Sequence, residues 1–312
     1  MTIELSVILA ADRLETIREV LRRLSEQTAR ERLELVVVAP SAFELELPDG
    51  TFAAMRVVES DGEAIDVARL RADGVRAASA PAVLLAETHS FPAPDSLERL
   101  IERHREPWAA VGQAICNGNP QTMRSWTNLF LDYGPWTDPH PGGAVRELPT
   151  HNSSFKRAEL LACGERLPEL LRYSEAINAV LRGRGGRLYL EPRARTFHVN
   201  VSRATSWVVE RSAAGRAYAA SRAAAWPAWR RAAYALGSPL IPLVRARRVL
   251  RDIRRTGRSA ELLPRILPGL AVGLTLSALG ELAGYALGAG RAPRLIGEME
   301  LRRMPHVRRG EL

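Results

Sequence analysis

The chain has 312 residues, 46% hydrophobic and 25% charged, so it is long enough to bury one large core or two modest ones. This composition excludes a disordered chain and a membrane protein with many spans. The two cysteines, Cys116 and Cys163, stand in no CxxC or Cys/His spacing, which argues against a disulfide framework and a zinc site and is typical of thiols in a reducing cytosol.

The net charge of +9 is unevenly distributed along the chain. Residues 1–200 carry 24 basic and 28 acidic residues, a net charge of −4, whereas residues 201–312 carry 20 arginines and 7 acidic residues, a net charge of +13. This polarity predicts a near-neutral globular part followed by a basic tail. Such a tail suits an anionic membrane surface or a nucleic acid.

The first hundred residues alternate between strand and helix patterns. The N-terminal apolar run has no basic residues before it, so it indicates a first strand rather than a signal peptide. Apolar and β-branched runs predict strands at Leu5–Ala10, Leu33–Ala39, Met55–Glu59 and Val83–Ala86. Helical spacing predicts helices over 12–28, over 61–79 with an interruption at Gly74, and through 104 with Asp95 or Ser96 as the cap.

The pattern loosens after Trp108. A strand is predicted at 109–115, a substrate-facing loop region at 117–150, helices at 156–163 and 173–184, and closing strands at 187–190 and 196–199. The chain from 203 onward is helical and rich in Arg and Ala. The alternation of strands and helices predicts an α/β fold with a mostly parallel, doubly wound sheet.

A polar group follows the fourth predicted strand, at Glu87-Thr88-His89. Open α/β sheets bind their ligands at the carboxyl ends of the strands. An acidic residue and a histidine at this position therefore indicate contact with a metal ion or a diphosphate. The alternative interpretation is a Glu and a His that only satisfy local backbone groups.

Four segments, in this order, resemble the successive motifs of one enzyme family. They are LSVILAADRLETIREVLRRLSEQTARERLELVVVA, which contains Gln27-Thr28, then ADGVRAASAPAVLLAE, then HNSSFKRAELLACG, and then YSEAINAVLRGRGGRLYLEP. Over about residues 3–200 their order and spacing resemble the family-2-type glycosyltransferases of the GT-A fold. The resemblance implies a GT-A-type (Rossmann-like), mostly parallel sheet flanked by helices in residues 1–202, and leaves 203–312 as a separate basic helical tail.

The resemblance also implies an activity. In this family a sugar moves from a nucleotide diphosphate to an acceptor hydroxyl with inversion, which requires a general base near the anomeric carbon. A divalent metal, usually held by an Asp-x-Asp motif, neutralises the leaving diphosphate. Here Glu175 stands at the position of the base, and Glu87 and His89 stand where Asp-x-Asp is expected. The metal would be Mn²⁺ or Mg²⁺, and histidine suits Mn²⁺ better.

The resemblance assigns further residues to each part of the site. The nucleotide side comprises Asp12, Asp61, Glu87 and His89, the metal side Glu87, His89 and His198, and the acceptor side His151, Asn152 and Trp136. Ala39-Pro40-Ser41 replaces the acid that usually contacts the uracil ring.

A structural interpretation stands beside each of these assignments. Glu175 is also a favourable first-turn helix carboxylate, and Asp61 also suits a turn and helix cap. His198 is also typical of a structural strand-end histidine. Trp126, Trp136 and His140 suit either sugar stacking or packing.

The basic tail contains two apolar patterns. In 240–253 apolar residues alternate with arginines, which predicts an amphipathic helix at an anionic interface, with Trp226 and Trp229 at headgroup depth. The stretch 266–288 is long enough to span a membrane but contains Glu281 and is flanked by arginine on both sides. We therefore predict a monotopic or re-entrant anchor; the alternative is a helical subdomain that packs on the catalytic domain or on a second protomer.

Together these features predict an inverting, membrane-associated bacterial glycosyltransferase at the cytoplasmic face of the inner membrane. Its donor would be a nucleotide sugar, UDP-linked by preference, and its acceptor lipid-linked or a polysaccharide. The alternative is a non-catalytic scaffold that kept the fold and lost the metal motif. Nucleic-acid binding fits less well, because the long apolar stretch of the tail has no use there.

Overall fold

The computed structural model describes residues 2–39, 50–60 and 66–311. The described residues fall into two units, one of Met1–Gly118 and Asp138–His198, the other of Asn119–Thr137 and Val199–Leu312. The strands are β1 (Leu5–Ala10), β2 (Leu33–Ala39), β3 (Ala54–Glu59), β4 (Ala82–Ala86), β5 (Ser90–Pro92), β6 (Trp108–Asn117), β7 (Gly143–Val145), β8 (Ser153–Lys156) and β9 (Arg187–His198). The helices are α1 (Leu14–Ser25), α2 (Val67–Ala77), α3 (Ser96–His104), α4 (Met123–Tyr133), α5 (Arg157–Leu161), α6 (Leu167–Leu171), α7 (Ser174–Gly183), α8 (Ala204–Arg222), α9 (Ala228–Gly237), α10 (Ile241–Arg255), α11 (Ser259–Leu287) and α12 (Ala292–Leu301).

The nine strands that the described residues of the first unit form belong to one sheet. Its order is β3-β2-β1-β4-β8-β6-β9-β5, and β7 pairs with β9. The parallel pairs β1–β2, β2–β3, β1–β4 and β6–β9 have the longer registers, while β8, β5 and β7 pair antiparallel. The predicted α/β fold class, a mostly parallel sheet with helices and a C-terminal helical region, is confirmed.

Burial explains why the strands β1, β2 and β4 could be predicted from the sequence. Every residue of β1, β2 and β4 is buried, as expected for parallel strands covered on both faces. Their apolar runs therefore have no polar alternation, and the predicted bounds of β1 and β2 agree with the structure. After β1 the chain continues to β2 and β3 on one side, and β4 then lies on the other side of β1.

The predicted interruption of α2 at Gly74 is wrong, because the helix continues through this residue to Ala77. A Cβ at Gly74 would lie 2.4 Å from Cγ2 of Ile8, so the glycine lets the helix backbone approach β1 closely. The first residues of the predicted helix lie outside the described residues.

The two predicted closing strands form one strand, β9. It pairs in parallel with β6, but the register jumps from Glu191 to Arg195 between neighbouring residues of β6. Pro192 lies in this bulge, where its lack of a backbone N–H costs no ladder hydrogen bond. The proline produced the apparent gap between the two predicted strands.

The loop prediction for 117–150 is wrong at α4, which belongs to the second unit. The Thr122 side chain accepts a hydrogen bond from the backbone N–H of Ser125 and so caps the helix. Trp126, Leu129 and Phe130 are buried. The indole of Trp126 donates to the carbonyl of Pro120 and its ring stacks on Phe130, so Trp126 is a packing anchor.

Close packing of α8 against α11 forms the centre of the second unit. A Cβ at Gly280 would lie 2.1 Å from the carbonyl oxygen of Ser212, and a Cβ at Gly215 would lie 2.2 Å from the carbonyl oxygen of Ser277. The helix backbones are therefore in contact where they cross. Small residues on both helices are required for this approach.

Several arginines of the basic tail have structural partners in this unit. Arg211 is buried and donates two hydrogen bonds of 2.7 Å to the carboxylate of Asp132. Arg303 donates to the buried carboxylate of Glu210 at 2.7 Å. The charges of these two arginines are thus compensated within the unit. A binding partner of the basic tail would contact other arginines.

Helix α11 is long and apolar enough to cross a membrane, by length and composition alone. Of its most apolar window, 44% is buried within the protein, and the core helix of a soluble protein passes the same test. Its buried Glu281 lies 3.5 Å from Arg245 of α10. Burial raises the pKa of Glu281, and the positive charge of Arg245 opposes that rise. The monotopic or re-entrant membrane anchor therefore stays a prediction from the sequence.

Candidate functional site

The candidate site lies where the order of strands reverses in the parallel part of the sheet. Asp12 follows β1, and Glu87 and His89 follow β4, the neighbour of β1 on the side away from β2. Crevices at such switch points, outside the carboxyl ends of the strands, are where open α/β sheets bind ligands. The side chain of Asp12 is largely buried and accepts a hydrogen bond of 3.4 Å from the Thr16 hydroxyl.

The carboxylate of Glu87 is buried and held in one orientation. The Ser90 hydroxyl donates to Oε2 at 2.7 Å, and the Asn152 amide donates to the same oxygen at 2.5 Å. Asn152 also donates to the Ser90 hydroxyl, at 3.0 Å. Asn152 has a φ of 58°, a left-handed conformation that asparagine tolerates better than most residues.

Three imidazoles surround this carboxylate. The Nε2 atoms of His89 and His151 lie 3.9 and 3.7 Å from Oε1 of Glu87. Nε2 of His198 lies 3.7 Å from Oε2. His89 and His198 are buried and pack edge to face with ring centroids 4.9 Å apart, whereas the side chain of His151 is 30% exposed.

Sheet pairing brings these distant residues together. His198 ends β9 and is paired with Ser90 in β5, directly after the Glu87-Thr88-His89 tip. His151 and Asn152 precede β8, which runs antiparallel to β4, and the backbone N–H of Asn152 donates to the Leu85 carbonyl at 2.8 Å. The cluster is thus fixed by strands of the sheet rather than by flexible loops.

Glu175 lies in the first turn of α7 and is exposed. The start of this helix is fastened to the segment before His151, because the Ser174 hydroxyl accepts hydrogen bonds from the backbone N–H and the hydroxyl of Thr150. Asn178 adds a bond of 2.7 Å to the Leu148 carbonyl. The helix that carries Glu175 and the segment that carries His151 are therefore held together.

The other predicted site residues have more varied positions. Asp61 lies outside the described residues. Trp136 lies in the second unit, half-buried in the single turn Gly134–Trp136. The Gln27 amide donates to the Ala93 carbonyl and accepts from the Leu97 N–H, so it ties the end of α1 to the start of α3.

Sequence reasoning missed three polar contributors to the cluster. Ser90 orients Glu87, Thr88 lies 3.2 Å from Nδ1 of His89, and Thr150 joins α7 to the His151 segment. Ser90 and Thr88 were detectable as hydroxyl residues beside the Glu-x-His tip. The contact of Thr150 with Ser174 carries no local sequence signal.

The donor set fits a divalent metal. One carboxylate oxygen and two imidazole nitrogens from Glu87, His89 and His198 lie within 4.8 Å of one another, and all three residues are buried. Such oxygen and nitrogen ligands suit Mn²⁺ and its neighbours in the first transition row. The cluster therefore has the ligand atoms to hold a divalent metal.

No protein-family model and no curated protein matches the chain. Among solved structures it is similar to the mannosyltransferase PcManGT from Pyrobaculum calidifontis in complex with GDP-Man and Mn²⁺, with 18% identity over 95% of this chain and 86% of that one and a TM-score of 0.48. It is also similar to TarS 1–349 of S. aureus in complex with UDP-GlcNAc, with 13% identity over 92% of this chain and 91% of that one and a TM-score of 0.42. Against a longer TarS chain, the match has 13% identity and a TM-score of 0.42, and it covers 68% of this chain and 39% of that one.

Proposed function

We propose that this protein is an inverting glycosyltransferase that moves a sugar from a nucleotide diphosphate to a hydroxyl of a lipid-linked or polysaccharide acceptor. The observation that carries the proposal is the cluster of Glu87, His89 and His198 at the switch point of the sheet, where Asp12 follows the neighbouring strand β1. A cluster of this composition outside the carboxyl ends of the strands suits a nucleotide diphosphate and its counter-ion.

The donor side would be formed by the Glu87 cluster. Glu87, His89 and His198 would hold a divalent metal, which when bound supplies positive charge to the leaving diphosphate. The sequence predicts Mn²⁺ or Mg²⁺ as the metal and a UDP-sugar as the donor. Asp12, at the end of the neighbouring strand, is the candidate for contact with the nucleoside.

The acceptor side would be formed around Glu175. In a single displacement the acceptor oxygen forms the new bond to the anomeric carbon while the bond to the diphosphate breaks. The proton of the acceptor hydroxyl must go to a base, and we assign this role to the carboxylate of Glu175. The hydrogen bonds between Ser174 of α7 and Thr150 support the assignment, because they hold the helix that carries Glu175 next to the His151 segment.

Donor binding tests this proposal directly. We expect UDP to bind the purified protein in a calorimetric titration, and Mn²⁺ to strengthen that binding. Replacing Glu87 by Gln removes the charge at nearly constant size and should lower the Mn²⁺-linked gain at least about tenfold. Glu169→Gln, an exposed acid of the same unit, is the control and should bind as the unchanged protein does. Absence of Mn²⁺-linked UDP binding would favour the non-catalytic scaffold instead.

We further propose that the second unit associates with the cytoplasmic face of a bacterial inner membrane through α9 and α10. Five apolar side chains between 229 and 244 are from 56% to 83% exposed, namely Trp229, Leu236, Leu240, Leu243 and Val244. Exposed arginines follow them on α10, at Arg247, Arg248, Arg251 and Arg254. Apolar side chains next to arginines suit an anionic lipid interface.

The structure corrects two details of the predicted amphipathic segment. Ile253 is fully buried in the unit, so the apolar residues of α10 divide between an exposed end and a buried face. Trp226 stacks on Tyr285 with ring planes 6° apart, which leaves Trp229 as the exposed tryptophan of this pair. The surface available to lipid is therefore smaller than the sequence suggested.

Vesicle binding tests the membrane proposal. Combined Leu236→Ser, Leu240→Ser and Leu243→Ser should weaken binding to vesicles containing phosphatidylglycerol at least about 100-fold, since each leucine contributes about 1.5 kcal/mol on burial. The matched control, Val208→Ser with Val209→Ser, changes exposed apolar residues of α8 in the same unit and should bind normally. Equal binding by both variants in co-sedimentation would reject α9 and α10 as the membrane surface.

A further inference from the structure

We propose that Arg222 and Arg230 bind the phosphate of an anionic lipid headgroup, with a preference for a phosphate monoester over a phosphodiester. The inference rests on the membrane association proposed above for α9 and α10, and it deepens that proposal by assigning a discrete ligand site to the surface. Four side chains form the site, here called the arginine–aromatic cluster, namely Arg222, Trp226, Arg230 and Tyr234.

A short connection between α8 and α9 brings the cluster together. Arg222 is the last residue of α8, and Trp226 lies in the connection to α9. The backbone N–H of Trp226 donates to the Ala223 carbonyl at 3.0 Å, which fixes the turn. Arg230 and Tyr234 are four residues apart on α9, so their side chains lie on the same face of that helix.

Two aromatic rings hold both guanidinium groups. The ring centroids of Trp226 and Tyr234 are 4.6 Å apart. The guanidinium carbon of Arg230 lies 4.1 Å from the Trp226 centroid and 5.9 Å from the Tyr234 centroid. The guanidinium carbon of Arg222 lies 5.3 and 5.1 Å from the same two centroids. Two positive charges are therefore concentrated at one place on the second unit.

Buried Tyr285 of α11 supports the cluster from within the unit. Its ring stacks on Trp226 with ring planes 6° apart, and its hydroxyl accepts a hydrogen bond of 3.4 Å from Arg222. Arg231 donates to the Tyr285 carbonyl at 3.0 Å, which ties α9 to the end of α11. The rings are therefore held in place before a ligand binds, which lowers the entropic cost of binding.

The two positive charges have no carboxylate partner within the part of the chain that the structure describes. Glu281 of α11 lies within electrostatic reach of Arg222, but its buried carboxylate pairs with Arg245, at 3.5 Å. Arg222 and Arg230 are both exposed to solvent. An anionic ligand can therefore reach them and compensate their charge.

The chemistry of the cluster fits a phosphate monoester. A guanidinium that stacks on an aromatic ring keeps its N–H groups in its own plane, so its edge stays available to an anion. Arginine binds phosphate oxygens in pairs through this edge. A phosphate monoester carries about −1.5 to −2 charge and three strong acceptor oxygens, and a phosphodiester has fewer of both. Two arginines therefore match the monoester better.

The surroundings of the cluster favour a phosphate that is carried by a lipid. Trp229, next to Arg230, is 72% exposed, and Leu236 of the same helix is 83% exposed. Tryptophan is enriched at the level of lipid headgroups, and exposed leucine suits the boundary with the acyl chains. Because α9 carries both the phosphate-binding arginine and these apolar side chains, one lipid surface would contact both.

Co-sedimentation of the full chain with vesicles tests this inference. One set of vesicles contains phosphatidic acid, a phosphate monoester, and the other contains phosphatidylglycerol, a phosphodiester, at matched zeta potential. We expect binding to phosphatidic acid to be at least about tenfold tighter, because both arginine forks then find acceptor oxygens. Equal binding to the two sets would overturn the proposed site.

Paired variants separate the geometry of the cluster from its charge. Arg222→Gln with Arg230→Gln should abolish the preference and weaken binding to phosphatidic acid roughly 30-fold, the effect of two arginines at an anionic surface. Arg222→Lys with Arg230→Lys keeps both charges but loses the planar forks, so it should bind phosphatidylglycerol normally and lose most of the preference.

A matched control removes two exposed arginines elsewhere in the same unit. Arg291→Gln with Arg309→Gln should keep the preference for phosphatidic acid. Circular dichroism and the melting temperature of each variant show whether the helical unit is still folded. A preference for phosphatidic acid that survives in the folded glutamine pair of the cluster would reject the assignment.

Inorganic phosphate distinguishes a lipid headgroup from free phosphate. An excess of it should leave the protein on vesicles of phosphatidic acid, because Trp229 and Leu236 add apolar burial there. Release of the protein by inorganic phosphate would identify a free-phosphate site and overturn the lipid assignment. Tighter binding to duplex DNA than to these vesicles would overturn it in favour of a nucleic acid.

The outcomes also separate this inference from the proposed membrane association. Vesicle binding that depends on Leu236, Leu240 and Leu243 but not on the lipid class or the cluster arginines would reject the cluster and leave the membrane surface intact. If no vesicles bind, calorimetry with soluble dihexanoyl phosphatidic acid still tests the cluster. This ligand should then bind the unchanged protein and fail to bind the glutamine pair, and equal binding by both would reject the site.

Discussion

Replacing Glu175 by Gln is expected to lower the rate of sugar transfer by a factor of about 10²–10⁴, the usual contribution of a general base. Glutamine has nearly the same size and polarity but cannot take the proton of the acceptor hydroxyl. Because Glu175 is exposed in the first turn of α7, the substitution leaves no buried group unpaired. UDP binding and metal binding should be unchanged, so the loss should appear in kcat.

The alternative explanation of Glu175, a carboxylate that stabilises the positive end of a helix, has its own control. Glu169 also lies in the first turn of a helix, α6, and is likewise exposed. If only the helix dipole matters, both Gln variants should lose about 0.3–1 kcal/mol of stability and neither should lose activity. A radiolabelled transfer assay at saturating donor separates the general-base role from the helix-dipole role. Normal turnover by Glu175→Gln would reject the assignment of Glu175 as the base.

The parts of the fold that were predictable are those with strong local signals. β1 and β2 are buried on both faces, and their continuous apolar runs fixed their bounds. The Glu87-His89 tip was recognisable because it directly follows such a run. Helix α4 differs from the predicted loop because turn-forming residues surround its apolar face and obscure the helical pattern.

The composition of the site depended on pairings that no local pattern reveals. Asn152 reaches Glu87 because β8 runs antiparallel to β4, and His198 reaches it because β9 pairs with β5. The sequence assigned His151 and Asn152 to the acceptor side, and the structure brings both against Glu87. Their acceptor role stays a prediction, and the structure shows that both side chains contact the Glu87 carboxylate.

In the second unit, one sequence pattern is compatible with two different structures. Gly280 and Gly284, within the stretch 266–288, contact the backbone of α8. The same stretch also passes the length and composition test for a membrane span. Apolar content alone does not separate a core helix from a span, whereas a glycine packed against a neighbouring helix is a specific, testable contact.

Gly280→Ala is therefore expected to destabilise the second unit strongly. The added Cβ would meet the Ser212 carbonyl oxygen at 2.1 Å and the Arg216 backbone nitrogen at 3.0 Å, and neither backbone atom can move without separating α8 from α11. We expect a loss of about 3 kcal/mol, although alanine favours an isolated helix by about 1 kcal/mol over glycine. Gly237→Ala, at the end of α9 with open space around it, is the control and should be neutral or slightly stabilising.

A double variant makes this test specific to the crossing of the two helices. Gly215 faces Ser277 in the same contact, so Gly215→Ala alone should cost a similar amount. Once one Cβ has forced the helices apart, the second meets less resistance, and the combined loss should be smaller than the sum. Hydrogen exchange of the α8 and α11 amides measures this without assuming that the two units unfold together. Unchanged exchange in Gly280→Ala would mean that α11 does not pack on α8 in solution, and would return the stretch to the role of a membrane anchor.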